Sequence, residues 1–190
     1  MDGCKLSADE ENPLDHLILK CIDPTLGPMR SLGITPNAIT VASAVLAAWS
    51  IYECFAGRPW PAVGLWTGAY VLDCADGFMA RRYKMETELG CRLDHYTDLL
   101  AFLGLAAFVA FRLRVSGTAP VWPLGVEAVL LAGAYYHMQC QEKDTTYLRI
   151  EGLKGCACFD KSHLKHTRWL GTGTLLIWHC LLILLYSRGA

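Results

Sequence analysis

Five apolar stretches, each close to the length of a bilayer crossing, constrain this chain more than any other feature. They run from about Pro36 to Ala56, Trp60 to Ala80, Gly90 to Phe111, Pro120 to Cys140 and Trp169 to Tyr186. A helix needs about 20 residues to cross a hydrocarbon layer about 30 Å thick. Five such stretches in 190 residues leave little chain for a separate soluble domain. Composition agrees: 53% of residues are hydrophobic and 18% charged, against roughly 45–50% and about 25% in typical globular chains. Such a chain is not a disordered tail. Its net charge of −1 excludes a strongly basic nucleic-acid binder, so no nucleic-acid partner is expected.

The expected fold is an all-α integral membrane protein, a bundle of five to six transmembrane helices preceded by an amphipathic interfacial helix. Residues 1–35 form the N-terminal segment and 36–190 the transmembrane domain. Asp2, Lys5, Asp9, Glu10 and Glu11 interrupt the start of the chain, so no cleavable signal peptide is expected there. Asn12-Pro13 supplies a cap and a first-turn proline. Leu14, Leu17, Ile18, Cys21 and Ile22 then recur at helical spacing, and Pro24 is expected to end the helix. Thr35-Pro36 opens the first span in the same way. Pro59 and Pro61 leave room only for a tight turn after it.

With the N-terminus in the cytosol, 13 of the 17 Lys and Arg fall on the cytosolic side. Only Arg58, Arg112, Arg114 and Arg188 fall on the far side. That bias sets the orientation. The polar stretch 141–168 is the one place where a sixth span could lie. The nine cysteines follow no paired spacing and read as reduced, small apolar residues. Cys156-x-Cys158 with His163-x-x-His166 fits no standard zinc-finger spacing.

Charges inside spans are costly and mark function. Asp73 and Asp76 share a face at the end of the second span, and Asp94 and Asp98 share one at the start of the third. The intervening loop turns the chain back, so the two faces are expected to converge as antiparallel neighbours. Four converging carboxylates repel one another unless hard divalent cations neutralise them. The full pattern is Asp73-x2-Asp76-Gly77-x2-Ala80-Arg81-x8-Gly90-x3-Asp94-x3-Asp98. Gly77, Ala80 and Gly90 leave room for a ligand to approach the backbone, and Arg81 offers a fork for phosphate. Together these residues suggest a nucleoside diphosphate held through cations.

This stretch resembles the signature of the CDP-alcohol phosphotransferase, or CDP-alcohol phosphatidyltransferase, family. All eight defined positions match across Asp73–Asp98. Gly33-Ile34-Thr35-Pro36-Asn37 is similar to the segment that opens the first span in family members. The resemblance makes 36–190 a transmembrane CDP-alcohol phosphotransferase domain. It implies transfer of a substituted phosphate from a CDP-linked donor to an alcohol, with release of CMP, in phospholipid synthesis. On that basis Asp73, Asp76, Asp94 and Asp98 hold two Mg²⁺ or Mn²⁺ ions, and Asp98 is the base that takes the acceptor's proton. Asp73, Gly77, Ala80, Arg81 and Gly90 line the CDP site. The partners implied are a CDP-linked lipid or alcohol, an alcohol acceptor, the bilayer and a possible homodimer.

The acceptor is not fixed by these residues. The short chain is similar to members that use CDP-diacylglycerol. Asp94-His95-x-x-Asp98 has the form seen in choline and ethanolamine phosphotransferases. Thr87-Glu88-Leu89-Gly90 looks instead like phosphatidylglycerophosphate synthases. Lys143, Arg149, Lys154, Lys161, Lys165 and Arg168 could bind an anionic acceptor or anionic lipid. A divalent-cation transporter is the alternative of another class. It predicts acids near mid-span and has no need of Gly77, Ala80, Arg81 and Gly90. Gly64-x3-Gly68 permits close helix packing, within the chain or between copies.

Overall fold

In the computed structural model the described residues are 3–117, 119–142 and 161–187. They are all-helical. The helices are α1 (Pro13–Ser31), α2 (Pro36–Phe55), α3 (Pro59–Arg82), α4 (Glu88–Ser116), α5 (Trp122–Glu142), the single turn α6 (Leu164–Thr167) and α7 (Thr172–Ser187). Short 3-10 turns, Lys161–His163 and Arg168–Leu170, flank α6. Three starts follow from local chemistry. Asn12 Oδ1 accepts from Leu14 N at 3.0 Å, Thr35 Oγ1 from Ala38 N at 3.3 Å and Thr87 Oγ1 from Gly90 N at 3.0 Å.

Among the described residues, three helical stretches are long and apolar enough to cross a membrane: Pro36–Phe55, Glu88–Ser116 and Leu164–Ser187. The other two expected spans are helical as well, as α3 and α5. Asp73, Asp76, Arg81 and Arg82 dilute the apolar character of α3, and Glu127, His137, Gln139 and Gln141 that of α5. The stretch 143–160, where a sixth span could lie, falls outside the described residues, as do Lys143, Arg149, Lys154, Cys156 and Cys158. His163 pairs with Tyr136 Oη at 2.8 Å. Cys4, Cys21, Cys54, Cys74, Cys91 and Cys180 are free thiols, but Cys140 is disulfide-bonded, which corrects the all-thiol expectation for that residue.

Helix α2 shows which medium the bundle is built for. Beyond Pro36 and Ile39 its buried face carries Thr40, Ser43, Ala47, Ser50, Glu53 and Cys54, all small or polar. Its exposed face carries Val41, Val45, Trp49, Tyr52 and Phe55. Large apolar residues outside and small ones inside suit a hydrocarbon surround. The buried hydroxyls are satisfied across the α2–α3 contact: Ser43 Oγ donates to Ala69 O at 2.8 Å and Ser50 Oγ to Ala62 O at 2.7 Å. Of Gly64-x3-Gly68, Gly68 faces Leu46 of α2 within the chain, whereas Gly64 faces open space.

Helix α1 departs from expectation in two ways. It continues through Pro24 and Pro28 to Ser31. Within it the hydroxyls of Thr25 and Ser31 donate to Ile22 O and Pro28 O, each at 2.7 Å. Its apolar stripe Leu19, Ile22 and Leu26 is also not left for lipid. It packs against Ile39, Ala75, Phe78 and Met79 and so clamps α1 onto the site-bearing end of α3.

A buried carboxylate fixes the other end of α1. Asp15 accepts from Tyr70 Oη at 2.5 Å, Thr172 Oγ1 at 3.1 Å and Gly173 N at 3.1 Å. It thereby caps the start of α7 and ties three helices together. A Cβ on Gly173 would stand 2.6 Å from Asp15 Oδ1, so glycine is required for this approach.

Candidate active site

The acids of the motif come together by an arrangement the spacing did not suggest. Helices α3 and α4 make little close backbone contact and meet through side chains, Asp73 reaching Asp94 and Asp98. Helix α2 lies against both instead. The connection Tyr83–Thr87 reverses the chain, with Met85 N donating to Ala80 O at 2.8 Å and Lys84 in the left-handed region at φ 55°. The backbones therefore stand apart while side chains reach inward from both.

Asp73, Asp76 and Asp94 each present a carboxylate oxygen, and these lie within 4.8 Å of one another. Asp76 is buried at 5% exposure. Its Oδ2 accepts from Thr40 Oγ1 of α2 at 2.5 Å. Asp73 sits between Asp94 and Asp98 and interacts with both. Asp98 lies one turn beyond Asp94 and is exposed. An all-carboxylate oxygen set this crowded suits hard divalent cations and no soft metal. The residues present therefore fit such ions.

Beside the acids lies an open pocket of about 140 Å³. Its lining includes Asp76, Gly77, Ala80, Arg81, Gly90 and Asp94. All four residues expected to surround the nucleotide, apart from the acids, are thus brought to one cavity. Asp73 and Asp98 are not part of its wall. The glycines act differently from expectation. A Cβ on Gly77 would stand 3.0 Å from an Arg81 terminal nitrogen, so Gly77 makes room for the guanidinium. A Cβ on Gly90 would stand 2.6 Å from Asn37 Oδ1, so Gly90 lets the first turn of α4 meet the first turn of α2. Arg81 is oriented by Nε, which donates to Gly3 O at 3.0 Å.

Lys5, Asn37 and Thr40 were not assigned to the site from the sequence, although each lines the same pocket. Asn37 and Thr40 had a signal, because they follow Pro36 within one turn and so share the end of α2 that faces the motif. Lys5 had none, since it arrives through contacts distant in sequence. His137 and His179 lie away from the pocket. His137 Nδ1 meets Thr167 Oγ1 at 2.9 Å, and His179 Nε2 meets Glu127 Oε1 at 3.2 Å.

An all-helical bundle with lipid-compatible faces that gathers a carboxylate cluster suited to hard cations is the architecture of a membrane-helix protein. The family model for CDP-alcohol phosphatidyltransferase matches residues 33–147, and the chain belongs to that family. Curated relatives agree. A Mycobacterium tuberculosis protein named CDP-diacylglycerol–serine O-phosphatidyltransferase is 31% identical over 101 residues, covering 53% of this chain and 34% of the relative. A Mycobacterium leprae protein of the same name is 33% identical over 101 residues, 53% of this chain and 32% of the relative. A Saccharomyces cerevisiae CDP-diacylglycerol–inositol 3-phosphatidyltransferase is 29% identical over 106 residues, 54% of this chain and 45% of the relative. The match thus spans a third to under half of those relatives. No solved structure matches.

Proposed function

We propose that this chain transfers a phosphatidyl group from CDP-diacylglycerol to a hydroxyl acceptor and releases CMP, in phospholipid synthesis. The observation that carries the reading is the convergence of Asp73, Asp76 and Asp94 beside a pocket lined by Gly77, Ala80, Arg81 and Gly90. The matched relatives, named for CDP-diacylglycerol, favour that donor over CDP-choline or CDP-ethanolamine. A transporter is disfavoured because the acids gather beside an open pocket lined by Gly77, Ala80, Arg81 and Gly90, residues that a transport path does not need.

Asp73, Asp76, Asp94 and Asp98 would hold two divalent cations, Mg²⁺ or Mn²⁺. Such ions, when bound, neutralise the diphosphate and the departing CMP. The protein's own residues do the rest. Arg81 binds donor phosphate through the nitrogens not committed to Gly3. The walls beside Gly77, Ala80 and Gly90 hold the cytidine end and fix the phosphorus for attack. Asp98, exposed and in reach of Asp73, takes the proton of the acceptor hydroxyl as its oxygen attacks the β-phosphorus. The P–O bond to CMP then breaks, and CMP leaves with the electron pair.

The five long helices α2, α3, α4, α5 and α7 serve as spans, and α1 lies along the cytosolic end. The bias of Lys and Arg supports a site that faces the cytosol. Trp60, Trp122 and Trp169, all exposed at helix starts, suit the two interfaces. The acceptor is a small polar alcohol, with serine and inositol the first to try.

The test is exchange of labelled CMP into CDP-diacylglycerol by purified protein with Mn²⁺. Exchange is expected, with loss on chelation and a sharp drop in Asp98→Asn. Exchange without any divalent ion would refute the cation site. Undiminished exchange in Asp98→Asn would refute the assigned base. An acceptor screen against both donor types then fixes the substrate, and cross-linking reads the homodimer.

A further inference from the structure

We propose that Lys5 belongs to the donor site, where its ammonium group pairs with a phosphate of the nucleotide diphosphate. This rests on the reading of the pocket as a CDP-donor site. Lys5 lines the same cavity as Arg81 and Gly90. Its charge is felt by Asp94 on one side and by buried Glu11 on the other.

The segment that carries Lys5 is fastened at both ends. At the α3 end, Gly3 O accepts from Arg81 Nε at 3.0 Å. Gly3 also packs so close to Arg82 that a Cβ would stand 2.9 Å from Arg82 Cα. Cys4 joins the apolar cluster around Phe78 and Met79. At the α7 end, Asp9 Oδ2 pairs with Lys165 Nζ at 2.6 Å. Arg168 donates to Asp9 O at 3.2 Å, and Asn12 Nδ2 donates to Arg168 O at 2.8 Å. Between these anchors a turn closes on Ser7, whose carbonyl accepts from Glu10 N and Glu11 N, each at 3.0 Å. Residues 3–12 therefore bridge the site-bearing end of the bundle and hold Lys5 at the pocket mouth.

Charge matching favours a phosphate beside Lys5. Among the described residues the lining carries the acids Asp76, Glu86 and Asp94 and the cations Lys5 and Arg81. A diphosphate diester brings one negative charge on each phosphate. The guanidinium of Arg81, fixed by Gly3 and beside Gly77, is set to meet one phosphate. Lys5 is the remaining lining cation for the other, as a point charge rather than a fork.

The experiment compares the full chain with Lys5→Met and Lys5→Arg. CDP and cytidine binding are measured in the presence of Mn²⁺, together with exchange kinetics and thermal melting. Lys5→Met is expected to weaken CDP binding and raise KM for CDP-diacylglycerol about tenfold, as for loss of one charge-assisted contact. Cytidine affinity, kcat and Tm should hold, and Lys5→Arg should recover most of the loss. If the unaltered chain binds CDP and Lys5→Met binds it equally well, the Lys5 assignment fails while the donor reading stands. If CDP and cytidine weaken together as Tm falls, Lys5 is structural and the assignment fails. If the unaltered chain binds no CDP, the donor reading fails and takes this assignment with it.

Discussion

Replacing Thr40 by Val tests whether the carboxylate cluster is held in place from α2. Thr40 is 3% exposed, and its hydroxyl lies 2.5 Å from Asp76 Oδ2 and 3.2 Å from Pro36 O. One hydroxyl proton cannot serve both acceptors fully, and the shorter contact to the carboxylate takes it. Valine preserves shape and deletes only that donor. A hydrogen bond to a charged group contributes about 1.5–3 kcal/mol. Loss of an outer hydrogen bond to a metal-holding carboxylate typically weakens metal affinity about 10–100-fold. Thr40→Val should therefore raise the Mn²⁺ concentration for half-maximal CMP exchange by at least tenfold, with activity at saturating Mn²⁺ largely restored. Thr40→Ser should stay near the parent. An unchanged Mn²⁺ dependence in Thr40→Val would refute the idea that α2 orients Asp76 for the cation.

Gly90→Ala places a methyl 2.6 Å from Asn37 Oδ1 and 3.0 Å from Thr87 Oγ1, so donor KM should rise severalfold with a small loss of Tm, as read by exchange kinetics and thermal melting. Asp15→Ala strips the acceptor from Tyr70, Thr172 and Gly173; a cost of about 2–3 kcal/mol should lower Tm by about 5–10 °C, and Tyr70→Phe, which loses one donor only, should cost less. Burial, with the charge of Asp15 second, pushes the Glu11 carboxyl from 4.5 up to about 7. The unfolded chain ionises first as pH rises, so the fold loses stability between about pH 4.5 and 7 by up to about 3 kcal/mol. Glu11→Gln should flatten that slope in melts taken at pH 5 and pH 7.5, and parallel slopes would refute the assignment.

The site was legible in the sequence because its chemistry is local to two helix ends. Asp73 and Asp76 are one turn apart, as are Asp94 and Asp98, and helical spacing alone puts each pair on one face. The element pattern was legible too, since Thr35-Pro36 and Asn12-Pro13 announce helix starts and long apolar runs announce spans. What spacing cannot carry is which helix lies beside which. The antiparallel turn after Arg82 pointed to the meeting of the α3 and α4 carboxylates, but not to α2 as the helix whose backbone packs against both. Its Ser43 and Ser50 hydroxyls bond α3 backbone, and its other face meets α4. The same limit hid Lys5, whose position depends on Asp9–Lys165 and Asn12–Arg168 contacts more than 150 residues apart. The apolar stripe of α1 was visible, but periodicity does not say whether lipid or protein covers it. Here Phe78 and Met79 do.

Because α3 and α4 are held apart, the distance between their carboxylates is set by how closely each approaches α2. Gly104 controls that approach for α4. A Cβ at Gly104 would overlap Ile51 Cδ1 of α2. Gly104 lies six residues beyond Asp98, about 9 Å along the helix, so it is remote from substrate. Gly104→Ala must either displace the Ile51 side chain or push α4 outward, at an overpacking cost of about 1–3 kcal/mol. If α4 moves, Asp94 recedes from Asp73 and Asp76, and the Mn²⁺ requirement rises along with the loss of Tm. If only Ile51 moves, Tm falls with no change in Mn²⁺ dependence. Ile51→Val removes the colliding atom, so the double variant should recover the parent's Mn²⁺ dependence. A raised Mn²⁺ requirement that Ile51→Val fails to correct would show that the α2–α4 contact does not govern the spacing of the acids.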